Sequence, residues 1–96
     1  MSLIDSLPYP MSAAEVRGLT DADAIAEAHH EVIAQRSGTE VVPAMLITTE
    51  RNSYAVVEDR DADRYRVLDS GDRDDRDDVY ATLREWADEH GYGGPT

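Results

Sequence analysis

Residues 27–31 read EAHHE, and two acidic stretches read DRDADR at 59–64 and GDRDDRDD at 71–78. Histidine and carboxylate at close spacing are the raw material of a metal site. Glu27 and His30 have the Glu-x-x-His spacing that di-iron helical bundles use. Those centres need two such pairs and further glutamates on four helices, whereas this chain offers one pair. Glu27 and His30 are therefore weak metal candidates, and no cofactor is expected. A calcium loop of the EF-hand type needs oxygen ligands at positions 1, 3 and 5, glycine at 6 and glutamate at 12. Counted from Asp72, position 5 is Arg76, position 6 is Asp77 and position 12 is Leu83. Counted from Asp59, the first three ligands are present, but position 6 is Arg64 and position 12 is Ser70. Weak cation binding by these acidic loops is what remains. The simpler reading is a hydrated loop whose last aspartates cap a helix.

Nucleophilic chemistry has one candidate, Ser70 in LDSG, with Asp69 beside it. A G-x-S-x-G elbow requires glycine where Leu68 stands. No glycine-rich phosphate loop occurs. Nucleic acid is a poor partner as well. The segment that would serve as a recognition helix carries Asp21, Asp23, Glu27 and Glu31 before its first base, Arg36, and those carboxylates would repel phosphate. Arg60, Arg64 and Arg66 cluster around Tyr65, yet Asp59, Asp61 and Asp63 interleave with them.

The elements that must position these groups follow from periodicity. Residues 1–11 contain Pro8 and Pro10 and read as an irregular arm. Ser12 with Glu15 makes a capping box, opening a short helix to about Arg17 that Gly18 ends. Thr20 then caps a second, longer helix. Ala22, Ile25, Ala26, His29, Val32 and Ile33 form its apolar stripe, and Gly38 stops it. Three β-rich runs follow at 40–49, 53–58 and 64–70, joined by short polar turns that suit hairpins. A last helix spans about 75–90, with Val79, Leu83, Trp86 and Ala87 as its stripe. His90 suits its negative end. Residues 92–96 are expected to fray.

The expected fold is one α+β domain over 1–96. It is a three-stranded antiparallel β-meander with N-terminal helices and a C-terminal helix packed on it, in the order α-α-β-β-β-α and in two layers. The first strand is apolar on both sides, with Val41, Met45 and Ile47 on one and Val42, Ala44 and Leu46 on the other. Half-exposed antiparallel strands alternate, so its second face also calls for cover, from the arm or from another copy of the chain.

Composition supplies the rest. Acids outnumber bases 21 to 9, for a net charge of −12, and all the bases are arginine. Thirteen acids are aspartate, twelve residues are alanine, and phenylalanine is absent. This profile resembles proteins of salt-in halophiles, haloarchaea above all, across the whole chain. The resemblance implies a cytoplasm of molar potassium chloride and says nothing of activity; the residue order matches no characterised family. No cysteine is present, which removes disulfides and thiolate chemistry. The N-terminus lacks the basic and apolar regions of a secretory signal, and an acidic chain without a basic cluster is a poor guest for an anionic membrane. A soluble, cytoplasmic protein without nucleic-acid or membrane partners is expected. Its function reads best as a small non-catalytic protein-interaction domain, either a homodimer or an accessory subunit, with Val42, Ala44, Leu46 and Tyr54 as contact residues. The alternative is a small enzyme or a metal- or ligand-binding domain using His29 and His30, or Asp69 and Ser70.

At about 1 M salt the Debye length is roughly 3 Å, so surface carboxylates scarcely interact, whereas in dilute buffer they repel and oppose compaction. Circular dichroism along a salt titration is expected to show loss of structure as potassium chloride falls. A spectrum unchanged down to millimolar salt would contradict the halophilic reading.

Overall fold

The computed structural model describes residues 7, 9–21, 25–36, 39–59 and 61–90; within 30–36 and 39–40 it describes the backbone alone. The described residues form a four-stranded antiparallel sheet and two α-helices. In chain order these are α1 (Ala13–Gly18), β1 (Ile25–Arg36), β2 (Thr39–Thr49), β3 (Asn52–Asp59), β4 (Arg64–Asp72) and α2 (Arg76–Glu89), with short 3-10 turns at Leu19–Asp21 and Arg73–Asp75. The strands lie in sequence order, β1-β2-β3-β4. Among the described residues β1 and β4 are therefore the edges.

The α+β class holds, and the three expected β-rich runs fall inside β2, β3 and β4. The expected second helix does not form, and 25–36 is a strand instead. Two physical reasons account for this. Strand β2 carries a backbone donor and acceptor row on its outer side that needs a partner if it is to be buried, and β1 provides it from Ile25 opposite Thr49 to Arg36 opposite Thr39. The ladder is also irregular between Ile25 and Glu27, between His30 and Val32, and between Val32 and Ala34. Extra residues break the two-residue alternation of a strand, and the apolar spacing that results imitates a helical period. His29, assigned to a buried stripe, is exposed. The expected stop at Gly38, the cap-proximal Ala22 and Asp23, Arg60 and the tail at 92–96 lie outside the described residues.

The short first helix starts as its sequence requires. The Ser12 side chain accepts the Glu15 N–H, and the Glu15 carboxylate accepts the Ser12 N–H at 3.4 Å. Helix α2 begins at Arg76 and buries Val79, Leu83, Trp86 and Ala87. His90 caps its end, with Nδ1 2.8 Å from the Trp86 carbonyl and its ring stacked on the indole at 4.3 Å.

The architecture has three layers where two were expected. On one face Ala44, Leu46, Ala55 and Val57 pack beneath Val79, Leu83, Trp86 and Ala87 of α2. On the other, Val42, Met45, Ile47 and Val56 pack against Leu7, Met11 and Val16, with Ile25 and Tyr65 at the margins. The arm and α1 thus cover the second face of β2, which settles that choice in favour of the arm. Val42 shares a face with Met45 and Ile47, contrary to the expected split with Ala44 and Leu46. The strand loses its alternation at Pro43, which is fully buried and has no N–H to place in the ladder. Strand β2 also changes neighbours there. From Ala44 onward it pairs with β3, while the Val42 N–H donates to the Met11 carbonyl at 2.9 Å.

Tyr65 fixes the arm to this point. Its hydroxyl donates to the Val42 carbonyl at 2.8 Å and accepts the Met11 N–H at 3.2 Å. Tyr9 packs edge-on against its ring at 5.2 Å and donates to the Glu58 carboxylate at 3.1 Å.

Burial pushes the Tyr65 phenol up to about 12, although its bond with the Met11 N–H pulls the other way. A phenol whose folded pKa lies above its unfolded value of about 10 contributes stability that is complete below that value. The contribution is lost as pH rises through the folded pKa. Chemical denaturation in strong salt is expected to show stability falling between these two values. Tyr65→Phe is expected to remove that part of the profile and to lower stability at neutral pH by about 1–3 kcal/mol, because it strands a buried donor and acceptor. An alkaline profile unchanged by the substitution would refute the assignment.

Candidate functional site

Directly paired residues of an antiparallel sheet point their side chains to the same face. One row runs across all four strands: Glu27 opposite Thr48, Thr48 opposite Ser53, and Ser53 opposite Gly71. It lies on the α2 face at the end where α2 begins. A Cβ at Gly71 would be crowded, 3.0 Å from the Asp75 Cβ, so a larger residue fits only if the Asp75 side chain gives way. The row is polar or small throughout. Thr48 and Ser53 are buried, and among the described residues neither hydroxyl has a hydrogen-bond partner.

At the β1 end of this row a recess of about 330 Å³ opens between β1 and α2, lined by Glu27, His29, Arg76, Asp77 and Tyr80. Arg76 Nη2 donates to Glu27 Oε1 at 2.9 Å, and the two side chains are 40% and 51% exposed. A pair this wet contributes at most about 1 kcal/mol. The Nε of the same guanidinium is buried, with no partner among the described residues. His29 sits one row further along β1, its ring centroid 6.2 Å from that of Tyr80. Tyr80 follows Arg76 by one helical turn, so both project from α2 toward β1. The recess thus combines one cation, two carboxylates, an imidazole and a phenol.

The residues singled out from the sequence are scattered by this fold. Glu27 and His29 enter the recess; the side chain of His30 lies outside the described residues. Among the described residues no group of three or more histidines and carboxylates is placed to hold a metal ion. Val42, Ala44 and Leu46 are inside the chain's own two cores, with Val42 and Ala44 fully buried, and Tyr54 is half-buried against the arm-side core. Asp69 pairs with Ala55 and Ser70 with Tyr54, so the adjacent Asp69 and Ser70 point to opposite faces. His29 and Asp69 occupy one row, through Leu46 and Ala55, but three strand spacings put their backbones roughly 14 Å apart. A Ser-His-Asp arrangement among them does not assemble.

The acidic stretches have local roles. The Asp75 carboxylate accepts the Asp72 N–H at 3.3 Å ahead of α2. The Asp59 carboxylate accepts the Ala62 N–H at 3.2 Å in the β3–β4 turn, where Asp63 has a φ of 55°. Aspartate tolerates that left-handed conformation better than most residues. Sequence reasoning missed Arg76, Asp77 and Tyr80 because, with 25–36 taken as a helix, nothing stood opposite this side of α2. The legible signal was the Arg76–Tyr80 spacing itself.

The class is a small α+β domain: an antiparallel four-stranded meander, wrapped by an N-terminal arm on one face and by a C-terminal helix on the other. The chain belongs to the family described as a domain of unknown function, DUF7964, whose model matches residues 3–90. No curated protein and no solved structure matches it. Among the described residues no helix is long and apolar enough to cross a membrane.

Removing a buried hydroxyl that has no partner relieves a desolvation cost. Thr48→Val and Ser53→Ala are each expected to leave stability unchanged or to raise it by up to about 1 kcal/mol, read from denaturant midpoints in molar salt. A loss of about 2 kcal/mol or more in both would mean that the hydroxyls are bonded to an internal water.

Proposed function

We propose that this chain is a non-catalytic protein-interaction domain, working in the cytoplasm of a salt-in halophile by contact with itself or with another protein. The observation that carries the reading is on β4. Among the described residues Val67 is the one large apolar side chain left exposed, at 41%. It sits midway along an edge strand, with exposed Arg64 and Arg66 before it and Asp69 after it. A lone exposed valine is ordinary, but one at the centre of a strand edge that no described strand occupies lies where main-chain pairing and side-chain burial can act together. The exposed Val67 favours the β4 edge as the contact face, while Val42, Ala44 and Leu46 serve the interior.

A second reading is favoured by the recess. Glu27, His29, Arg76, Asp77 and Tyr80 could hold a small polar ligand, making the chain a ligand-binding domain. Mixed charge within a half-open depression suits a zwitterionic group better than a simple cation or anion.

Light scattering in molar potassium chloride is expected to give a mass above that of the monomer, or a defined partner on purification, and Val67→Asp is expected to abolish the association. A strict monomer without a partner, whose thermal stability rises with a zwitterionic ligand and does so less in Arg76→Ala, would replace the first reading with the second.

A further inference from the structure

Strand β4 carries its charges in two blocks, Arg64 and Arg66 before Val67, Asp69 and Asp72 after it. Two such strands placed antiparallel about a two-fold axis would set the basic block of each against the acidic block of the other. Whether they can do so depends on register. In a regular strand the residue number decides the face, so a self-pairing in which i faces j requires i and j to share parity. That rule forbids Arg66 opposite Asp69.

The bulge in β4 lifts the restriction. Val67 pairs with Val56 and Asp69 with Ala55, so Leu68 is an extra residue. Leu68 packs partly buried against the core under α2. On either side of it the faces are fixed by the partners. Arg66 pairs with Val57 and Asp69 with Ala55, and both partners belong to the core under α2. Tyr65 packs in the arm-side core, and Ser70 pairs with Tyr54, which packs there too. Arg66 and Asp69 therefore share one face, and Tyr65 and Ser70 the other. Centred between Val67 and Leu68, a two-fold pairing sets Arg66 opposite Asp69 of the second copy and Tyr65 opposite Ser70, each on matching faces. A bulge against a straight strand spoils pairing and protects an edge. Facing its own symmetry mate, the bulge sets Val67 opposite the second copy's Leu68, where the faces differ, but because each strand carries the same extra residue the register matches on both flanks.

We infer that the β4 edge is a self-complementary interface, on which a second copy of this chain adds antiparallel with Arg66 opposite the partner's Asp69 and the exposed Val67 at the two-fold axis. The inference rests on the contact reading above and supplies its partner and register. Arg64, Arg66, Val67 and Ser70 are exposed, and among the described residues no strand occupies this edge. The pairing would join two four-stranded sheets into a continuous sheet of eight described strands. It also buries Val67 and sets Arg66 against Asp69 as a contact pair, which salt screens less than it screens separated surface charges. The interface is isologous: each contact occurs twice, so a single substitution removes two.

Sedimentation in molar potassium chloride of the wild type, Arg66→Asp, Asp69→Arg and the double charge swap tests it. The wild type is expected to be a dimer. Each single variant is expected to raise the dissociation constant by about tenfold or more, since opposed charges become like charges at two places. The swap is expected to return it to within about threefold of wild type, which only a pairing of these two positions across the axis produces. Circular dichroism confirms folding of each variant, and either single variant with the swap suffices if the other does not fold. A dimer indifferent to all three variants overturns the inference and leaves the contact reading standing. A wild type that is monomeric yet holds a different protein through Val67 does the same. A monomer that holds no protein at all removes both.

Discussion

Strand β2 has apolar side chains on both faces, and the placement of the other elements answers the need to keep both dry. Met45 and Ile47 point one way, Ala44 and Leu46 the other. A strand of this kind is stable only in the interior of a sheet and between two layers. Strands β1 and β3 satisfy its backbone on either side. Helix α2 covers one face and the arm with α1 covers the other. The chain is short, so each cover is thin: one helix of 14 residues on one side, and on the other a six-residue helix with the arm before it. Among residues 7 and 9–11 the arm forms no helix or strand; Tyr9 bonds to Glu58, and three further bonds knit Met11 to the sheet: Val42 N–H to Met11, Met11 N–H to Tyr65, and the Tyr65 hydroxyl to Val42. They form a closed loop of donors and acceptors among arm, β2 and β4. Losing the tyrosine would open one face of the central strand.

Pro43 is the hinge of that arrangement. A proline inside a central strand is normally excluded because it offers no N–H. Here it sits where β2 passes from one set of neighbours to another. Before it, Val42 bonds to the arm; after it, Ala44 pairs with β3. The missing donor falls at the change of partner, where no regular ladder bond is lost. The same residue resets the alternation, which puts Val42 into the arm-side core beside Met45.

Much of this was legible in the residues, and the parts that were not share a cause. The capping box at Ser12 and Glu15, the stripe of α2 and three of the four strands follow from local chemistry alone. Strand β1 did not, because Ile25, Ala26, His29, Val32 and Ile33 fit a helical period as well as a bulged strand. Nothing within 25–36 decides between them. The decision comes from β2, whose outer backbone groups need a partner, and that is a tertiary requirement. The recess was hidden for the same reason. Glu27 and His29 could be suspected singly, but their meeting with Arg76 and Tyr80 exists only once β1 is a strand beside α2. The burial of Val42 and Ala44 was half legible: the doubled apolar faces called for a cover, and composition could not say whether the arm or another chain would provide it.

Irregularity marks three of the strands, and its effect differs from place to place. In β1 the breaks near Ala26 and Glu31 lie on an edge. Each tilts the row of outward-facing donors and acceptors out of line, which discourages addition of another strand. In β2 the break at Pro43 is internal and serves the passage from arm to β3. In β4 the break at Leu68 again lies on an edge, but it is single and near the strand's middle, with a regular pair of flanks on each side. A single central bulge leaves each half of the edge straight, and only an antiparallel pairing centred on it keeps matching faces in both halves. The two edges of the sheet are therefore not equivalent. The one beside the recess is broken repeatedly, while the one bearing Val67 is broken once.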